Sequence, residues 1–307
     1  MGVSEAISLE VLKDKKIAII GYGNQGRAQA QNLKDGGFDV LIGIREGSHS
    51  IQKIIKDNHK YLNIRDACIW ADIILILIPD EKIKDTYINH IANQIGYGKT
   101  IIFAHGYAVH YKLINIPRHV NIVLVAPSAP GKTVRQNYKN KKGIPCLIAV
   151  ENDCSKNSKE IAMSYASAIG CADDGYIQTT FKEETETDLF GEQAILTGGF
   201  LYLLKESFKV LVERGYKPEV AWHVCFYETE NILSLLNQSG YKKFYKSVSS
   251  NARFGGVTRG KRIISDEVIK EMHKILDEIQ NGDYLKELNC QDTLENYKKL
   301  YKTIIDD

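Results

Sequence analysis

The sequence lacks a paired-cysteine motif, a long hydrophobic run and a strong net charge. Its six cysteines are scattered with no Cys-x-x-Cys pair, which argues against a zinc site or disulfide scaffold and for a reducing cytoplasm. No segment approaches the roughly 18 apolar residues of a membrane helix, and no signal-peptide core begins the chain. The net charge of +2 suggests neither a nucleic-acid nor a membrane partner. We therefore expect a soluble cytoplasmic protein.

At 307 residues the chain is long enough for two domains, and its pattern changes once, near residue 182. Before that point, continuous apolar runs typical of doubly buried strands alternate with helix-like segments. These runs lie at residues 16–21, 39–44, 73–78, 100–104, 121–126 and 145–150. After it, only helical patterns remain. We predict an α/β fold, with a Rossmann-type doubly wound parallel sheet over residues 1–182 and an all-helical domain over residues 183–307.

A glycine-rich turn follows the first apolar run and opens a helix. It consists of Gly21, Tyr22, Gly23, Asn24, Gln25 and Gly26. In such a strand–turn–helix–strand unit, the first glycine permits the tight turn, the second lets a pyrophosphate approach, and the third lets helix and strand pack closely. The phosphates then meet the helix N-terminus. A purely structural turn is the alternative, but the surrounding pattern favours dinucleotide binding.

The end of the second apolar run indicates which dinucleotide binds. An NAD site would place an acid there for the ribose 2'-hydroxyl, but this chain has Arg45, followed by Ser48 and Ser50. One guanidinium and two hydroxyls can hold a 2'-phosphate by charge and hydrogen bonds. We therefore predict NADPH over NADH. The alternative is a solvated polar loop that binds no phosphate, and the negative charge of Glu46 supports that alternative.

Two loops leave the carboxyl ends of later strands, where open parallel sheets bind ligands. The first contains His105, which could donate to a substrate oxygen or act as an acid. The second, residues 126–132, contains Ser128, Gly131 and Lys132. Both loops are candidates for the active site, with a purely structural role for His105 as the alternative.

The acidic stretch after residue 180 contains a pair of carboxylates that capping does not explain. Asp188 and Glu192 stand four apart, so a helix places them on one face, where we expect them half buried. Burying two like charges is costly unless a cation or a proton joins them; a divalent metal is the simplest answer, and oxygen-only ligands favour Mg2+. A capping box of Thr180 and Glu183, together with the helix dipole, accounts for Glu183 and Glu184 but not for this pair.

Two further candidates lie in the helical half. Glu228 falls on the apolar stripe of a helix predicted over residues 218–237, and a carboxylate on such a face needs a partner. Residues 249–255 read as a polar loop that could cover a site. Both features therefore join the candidate site.

Taken together, these segments resemble the ketol-acid reductoisomerase family, the NADPH- and Mg2+-dependent enzymes of branched-chain amino-acid synthesis. The resemblance runs from about residue 5 to residue 282. It rests on the segments GYGNQGRAQAQNL, REGSHS, LIPDE, FAHGY, VAPSAPGKTVR, TTFKEETETDLFGEQAILTGG and RGYKPEVAW. It implies a homodimer whose helical domains intertwine, so that each active site uses residues of both subunits.

The resemblance also implies roles for individual residues. Asp188 and Glu192 would be metal ligands from one subunit, and Glu228 a ligand from the other. The catalytic set would be these three with His105 and Ser128. The cofactor would contact the glycine turn, the phosphate loop, His105 and three further residues, Pro79, Asp80 and Gly131. The substrate would contact Ser250, Asn251 and Ala252.

Several departures from the family fall on catalytic positions. The family has a glutamate four residues before Glu228, where this chain has Val224, and a lysine where it has Ser128. The loop near Ser250 and the tail beyond Gly282 also differ from the family pattern. By this comparison the Mg2+ site is incomplete.

Three hypotheses follow. The first, which the departures favour, is an NADPH-dependent reductase of a 2-keto acid or a cyclic imine that omits the alkyl migration. The second is a working reductoisomerase that converts acetohydroxy acids to dihydroxy acids, with Lys132 compensating for Ser128. The third is a non-catalytic NADPH-binding dimer.

Overall fold

The structure, a computed structural model, describes residues 7–171 and 175–306. It divides into two compact units, Met1–Thr185 and Glu186–Asp307. The dividing point lies within a helix, a few residues after the boundary expected from the sequence. No helix among the described residues combines the length and the apolar character required to cross a bilayer.

The first unit contains an eight-stranded sheet. Its strands are β1 (Lys16–Ile20), β2 (Asp39–Gly43), β3 (Lys60–Leu62), β4 (Ile73–Ile76), β5 (Thr100–Phe103), β6 (Asn121–Pro127), β7 (Cys146–Asn152) and β8 (Tyr176–Gln178). The spatial order is β3-β2-β1-β4-β5-β6-β7-β8. The order reverses between β1 and β4, and open sheets bind ligands at such a switch point. The predicted Rossmann-type architecture is therefore confirmed.

Helices connect these strands. They are α1 (Asn24–Asp35), α2 (Ile51–Lys56), α3 (Ile64–Trp70), α4 (Asp80–Thr86), α5 (Tyr107–His110), α6 (Gly131–Lys139) and α7 (Ser158–Ala168), with short 3-10 turns at Glu10–Leu12 and Ala92–Gln94 and a π-turn at Tyr87–Ile91.

The residues of β1 after Lys16 are continuously apolar because the strand is buried on both faces of the sheet. Ile17 and Ile19 belong to the core on one face of the sheet, whereas Ala18 and Ile20 belong to the core on the other.

One strand differs from the predicted parallel arrangement. Strand β7 pairs antiparallel with β6, and Cys146 lies opposite Pro127. In a parallel connection, α6 would bring the chain back to the edge of the sheet where β6 begins. Here the chain instead re-enters the sheet at the edge where β6 ends, so β7 runs in the opposite direction. The backbone N–H of Ser128 donates to the Pro145 carbonyl at 2.9 Å and holds the two ends together. The other neighbouring strands pair in parallel.

The helix α8 (Phe181–Gly191) contains the dividing point of the two units. After it come a π-turn (Glu192–Leu196), α9 (Gly199–Glu213), α10 (Pro218–Trp222), a second π-turn (His223–Tyr227), α11 (Glu228–Ser239), α12 (Tyr241–Ser247), α13 (Ser250–Ile263), α14 (Asp266–Asn281), α15 (Asp283–Leu288) and α16 (Gln291–Asp306). The helical path is interrupted at Gly198, between the π-turn and α9. A Cβ there would lie 1.9 Å from the Gln193 carbonyl oxygen, so only glycine fits.

Candidate active site

The glycine turn is shaped as its sequence predicts. Gly21 has a φ of +102°, and a Cβ there would lie 2.5 Å from the Leu77 carbonyl oxygen. A Cβ at Gly26 would lie 2.5 Å from the Gly21 carbonyl oxygen, so this glycine lets α1 pack on the turn. At Gly23, by contrast, no heavy atom lies within 4 Å of a Cβ position. The turn is therefore closed towards the protein and open where a pyrophosphate would approach.

The loop after β6 packs against this turn. A Cβ at Gly131 would lie 2.2 Å from the Asn24 carbonyl oxygen, and the Gln25 amide Nε2 donates to the Ala129 carbonyl at 2.8 Å. Ser128 is exposed in this loop, and Lys132 is exposed at the second position of α6. The structure thus brings two sequence-predicted elements, the glycine turn and residues 126–132, together at one edge of the sheet.

The predicted phosphate loop lies at the carboxyl end of β2. Ser48 and Ser50 are half buried, and Arg45 is exposed. The backbone N–H of Ser50 donates to Ser48 Oγ at 3.3 Å, and Gly47 has a φ of +69°. This compact turn holds two hydroxyls and a guanidinium on one short segment, which is a donor set that fits a phosphate.

Tyr22 has a role that the sequence did not indicate. Its ring is buried and its hydroxyl donates to Asp57 Oδ2 at 2.9 Å, while Arg27 donates two further hydrogen bonds to the same carboxylate, at 2.6 and 2.9 Å. Burial and the neighbouring carboxylate raise the pKa of Tyr22 well above its ordinary value. Hydrogen bonds from Arg27 lower the pKa of Asp57. The side chain of Tyr22 therefore braces the turn from behind, which leaves only its backbone for a cofactor.

The loop residues Pro79 and Asp80 follow β4, the other strand of the switch point. Pro79 is the N-cap of α4, and Asp80 is the first residue of that helix. Both are at least partly accessible. Their position at the carboxyl end of β4 is compatible with the predicted contact to a cofactor.

His105 is paired with a buried carboxylate. Its Nδ1 lies 3.2 Å from Glu184 Oε1, and the backbone N–H of Gly106 donates to Glu184 Oε2 at 2.7 Å. Glu184 is 2% exposed. The start of α8 is held in place by Phe181, whose ring meets that of Phe103 edge-on in the core. This packing fixes Glu184 beneath the loop that carries His105.

The capping interpretation of Glu184 is therefore wrong. Thr180 does cap α8, since its Oγ1 accepts from the backbone N–H of Glu183 at 3.0 Å. Glu183, however, is exposed, whereas Glu184 points inward to His105. The capping pattern does not distinguish Glu183 from Glu184. They differ because the loop after β5 packs against the start of α8 on the side of Glu184. Its position four residues before Asp188 was the single available signal, because this spacing places both on one helical face.

Asp188 and Glu192 do not have the burial expected of them. Asp188 is exposed near the end of α8, and Glu192 is exposed at the first position of the following π-turn. Of the apolar neighbours, Leu189 is buried, but Ile195 and Leu196 are largely exposed. Within one chain, these carboxylates are accessible oxygen donors rather than a buried pair.

Glu228 also differs from its prediction. It begins α11, directly after the π-turn His223–Tyr227, and its side chain is 56% exposed. Within its predicted apolar stripe, Ala221 and Cys225 are buried but Val224 is 49% exposed. Glu228 lies beside an ionisable group, His223, whose Nε2 is 3.6 Å from Glu228 Oε1.

The segment predicted to be a covering loop, residues 249–255, is the start of helix α13. Ser249 caps α13, and its Oγ accepts from the backbone N–H of Ala252 at 3.2 Å. Ser250, Asn251 and Ala252 form the exposed first turn of that helix. The polar composition that indicated a loop is that of a helix start, where serine and asparagine are favoured.

The residues described above fit a phosphorylated dinucleotide well and a divalent cation in part. The turn that is open at Gly23, together with the Arg45 segment, suits a phosphorylated dinucleotide. For a divalent cation, Asp188 and Glu192 provide oxygen atoms. The segment around Glu228 adds one carboxylate and an imidazole, and Val224 provides no donor.

Comparisons with known proteins agree with this geometry. Residues 11–175 match the family described as acetohydroxy acid isomeroreductase, NADPH-binding domain, and residues 181–305 match the ketol-acid reductoisomerase C-terminal domain. The second match continues past Gly282, where the resemblance noted in the sequence ends.

Individual relatives span nearly the whole chain. A ketol-acid reductoisomerase (NADP(+)) of Methanocaldococcus jannaschii is 48% identical over 285 residues, which cover 93% of this chain and 86% of the relative. A solved NADH-preferring ketol-acid reductoisomerase from an uncultured archaeon has a TM-score of 0.90 at 36% identity, with 98% and 92% of the two chains covered.

A more distant likeness concerns the fold alone. A pyrroline-5-carboxylate reductase of Coxiella burnetii is 15% identical with a TM-score of 0.60, covering 87% of this chain and 98% of the other. At that identity it lends no support to imine reduction. The matches to both domains and the 48% identity lead to one conclusion: the chain belongs to the ketol-acid reductoisomerase family of NAD(P)H-dependent oxidoreductases.

Proposed function

We propose that this protein is a working NADPH-dependent reductoisomerase that converts acetohydroxy acids to dihydroxy acids. The observation that carries the proposal is the 48% identity to a ketol-acid reductoisomerase over 93% of the chain. This likeness favours the second hypothesis from the sequence over the first, reduction without alkyl migration. Membership of an oxidoreductase family disfavours the third, a non-catalytic dimer.

NADPH would bind along the turn from Gly21 to Gly26, with Pro79, Asp80 and Gly131 beside it. Its 2'-phosphate would meet Arg45, Ser48 and Ser50. When bound, the cofactor supplies the hydride for reduction. The two relatives differ in cofactor, NADP for one and NADH preference for the other, so the preference of this chain rests on its own phosphate loop.

His105 and Glu184 would manage the proton. With Glu184 Oε1 accepting from the Nδ1–H of His105, Nε2 is the atom that can accept a proton from a substrate hydroxyl and return it. The Gly106 N–H holds the second carboxylate oxygen, so Glu184 fixes the ring in one tautomer and one orientation. Ser250, Asn251 and Ala252 would contact the substrate.

Asp188, Glu192 and Glu228 are the carboxylates that would hold a divalent metal ion. When bound, such an ion supplies Lewis acidity to the adjacent oxygens of the substrate. We propose that Glu228 comes from the second subunit of a homodimer with intertwined helical domains. The exposed apolar side chains of the helical unit, such as Leu196, Trp222 and Tyr227, support an association with a second copy.

The cellular location is proposed from cysteine chemistry. All six cysteines are free thiols, and four of them are buried. Free thiols of this kind are typical of a reducing compartment. We therefore propose that the enzyme works in the cytoplasm.

A second candidate function is reduction of a 2-keto acid or an imine without alkyl migration. The observation that favours it is the pair of side chains Val224 and Ser128, since neither provides the charge found at the matching family positions. Migration needs more charge stabilisation than hydride transfer to one polarised carbonyl. The exposed Lys132, four residues after Ser128 at the start of α6, is the group that could compensate.

The test offers 2-acetolactate and NADPH to the full-length protein, with Mg2+ in one assay and Mn2+ in another, follows NADPH loss and identifies the product. Formation of the dihydroxy acid is expected. The variant Lys132→Ala should then lose activity, while Lys139→Ala, on the same helix, should not. Reduction of 2-keto acids or cyclic imines with no dihydroxy acid from 2-acetolactate would overturn the main proposal in favour of the second candidate.

A further inference from the structure

The helix that carries Glu228 is not a regular α-helix. A π-turn over His223–Tyr227 joins α10 to α11, and the backbone N–H of Glu228 donates to the carbonyl of His223, five residues earlier. Such a turn inserts one residue into the helical repeat and is frequent at functional sites. Because of this insertion, the residue five positions before Glu228 shares its face.

That residue is a histidine, and its ring is positioned towards the carboxylate. His223 Nε2 lies 3.6 Å from Glu228 Oε1, and more than half of each side chain is exposed. The Tyr227 ring stacks on the imidazole, with centroids 5.0 Å apart and planes inclined by 23°. The separation exceeds that of an ordinary hydrogen bond, about 2.7–3.2 Å. Neighbouring ligands of an ion with bonds near 2.1 Å lie about 3 Å apart, so these two exposed side chains need to approach by only about half an ångström to share one ion.

The donor set at this position is mixed. Val224 provides no donor atom, so the segment offers one carboxylate oxygen and one imidazole nitrogen. Mg2+ prefers oxygen ligands, whereas imidazole suits first-row transition metals. From this we infer that His223 and Glu228 together bind a divalent first-row transition-metal ion in preference to Mg2+.

The inference deepens the proposed function, because it rests on the metal site of which Glu228 is part. The imidazole replaces the donor that Val224 lacks, and transition-metal ions bind to nitrogen and oxygen donors more tightly than Mg2+ does. The expected consequence is a change in the identity of the ion rather than the loss of the site.

The experiment measures metal binding without turnover. Tag-free, metal-free full-length protein is titrated calorimetrically with Mn2+ and with Mg2+, and the Mn2+ complex is examined by electron spin-echo spectroscopy for coupling to an imidazole nitrogen. The variant His223→Phe should lose that coupling and roughly tenfold or more in Mn2+ affinity, with Mg2+ affinity unchanged. His273→Phe, which alters an exposed histidine of α14, is the matched control and should behave as the unmodified protein.

Two further variants keep the test decisive. His223→Gln removes the imidazole but keeps a polar side chain, and it replaces His223→Phe if that variant unfolds. Val224→Glu restores an oxygen donor and should raise Mg2+ affinity. Nitrogen coupling and Mn2+ affinity that are unchanged without His223 would overturn the inference. A protein that shows the coupling but forms no dihydroxy acid would instead contradict the proposed function and leave the metal pair standing.

Discussion

Oε1 of Glu184 lies 3.2 Å from Nδ1 of His105, although 79 residues separate them in the chain. The other carboxylate oxygen accepts from the backbone N–H of Gly106, so both oxygens are engaged by one loop. A Cβ at Gly106 would lie 2.9 Å from Glu184 Oε2 and 2.5 Å from Thr185 Oγ1, which shows how closely the helix approaches. The loop after β5 and the first turn of α8 therefore form one unit that orients the imidazole.

Replacing Glu184 should impair turnover more than cofactor binding. In Glu184→Gln the side chain keeps its size but loses its charge and one of its two acceptor oxygens, so it no longer holds both His105 Nδ1 and the Gly106 N–H in place. We expect kcat to fall by roughly 100-fold. NADPH affinity, measured by fluorescence titration, should change little. Glu183→Gln, at the adjacent exposed position, is the control, and a kcat that is equally low in that variant would contradict the assignment.

The glycines of the turn should respond differently to the same substitution. In Gly26→Ala the new Cβ would lie 2.5 Å from the Gly21 carbonyl oxygen, so the backbone must move and the melting temperature should fall. In Gly23→Ala no heavy atom lies within 4 Å of the new Cβ, so stability should be retained. NADPH affinity should nevertheless drop, because the methyl group occupies the space of the pyrophosphate.

Thermal unfolding and fluorescence titration of both glycine variants check this prediction. A Gly23→Ala variant that binds NADPH normally would show that the phosphates do not pass over this turn.

Cofactor preference should depend on the two serines. Replacing Ser48 and Ser50 by aspartate places negative charges where the 2'-phosphate would bind. Each hydrogen bond to the charged phosphate is worth roughly 1.5–3 kcal/mol, so removing one costs about tenfold or more in affinity. The ratio of kcat/KM for NADPH to that for NADH should therefore reverse. His49→Asn, between the two serines, should leave the ratio unchanged. Equal efficiency with both cofactors in the unmodified protein would contradict the prediction.

The carboxylate of Asp57 should make the free energy of unfolding depend on pH in the acid range. Hydrogen bonds from Arg27 lower its pKa from the ordinary value of 3.8, so the folded state binds the proton less readily than the unfolded state. The stabilisation is therefore fully present above the unfolded pKa. It is lost as the pH falls below about 4, through the folded pKa.

Asp57→Asn tests this by urea unfolding between pH 3 and pH 7. The variant should lose about 1–2 kcal/mol at pH 7, a modest value because Arg27 remains 46% exposed and its charge is screened. Its stability should fall less steeply below pH 4. Asp39→Asn, at an exposed position, should follow the unmodified protein at every pH. Parallel acid curves for Asp57→Asn and the unmodified protein would refute the assignment.

The protein should be a dimer at micromolar concentration. Several large apolar side chains of the helical unit, among them Leu196, Trp222 and Tyr227, are more than half exposed in the single chain. Burial of such surface in a partner is favoured by about 25 cal/mol per Å². Light scattering should give twice the chain mass of 34.6 kDa. A fully active species with the mass of one chain would contradict the prediction.

How much the sequence reveals about the site depends on the range of each interaction. The glycine turn was predictable in detail because its geometry depends on a few adjacent residues, namely Gly21 with its positive φ and Gly26 with its close packing. The apolar run of β1 likewise indicated burial on both faces. The burial of Asp188 and Glu192 was predicted wrongly, because their sequence neighbours Ile195 and Leu196 are themselves exposed in the single chain.

The fold class, the glycine turn, the predicted phosphate loop and most of the helical segments follow from local periodicity and from the backbone freedom of glycine. The start of α13 at Ser250 does not, because its polar composition is equally that of a loop. Three features could not be read from the sequence: Glu184 rather than Glu183 meets His105, Asp57 braces Tyr22, and β7 runs antiparallel to β6. These features depend on which segments the packed core brings together. Residues 35 and 79 positions apart carry no mark of their partners until the sheet and its helices have assembled.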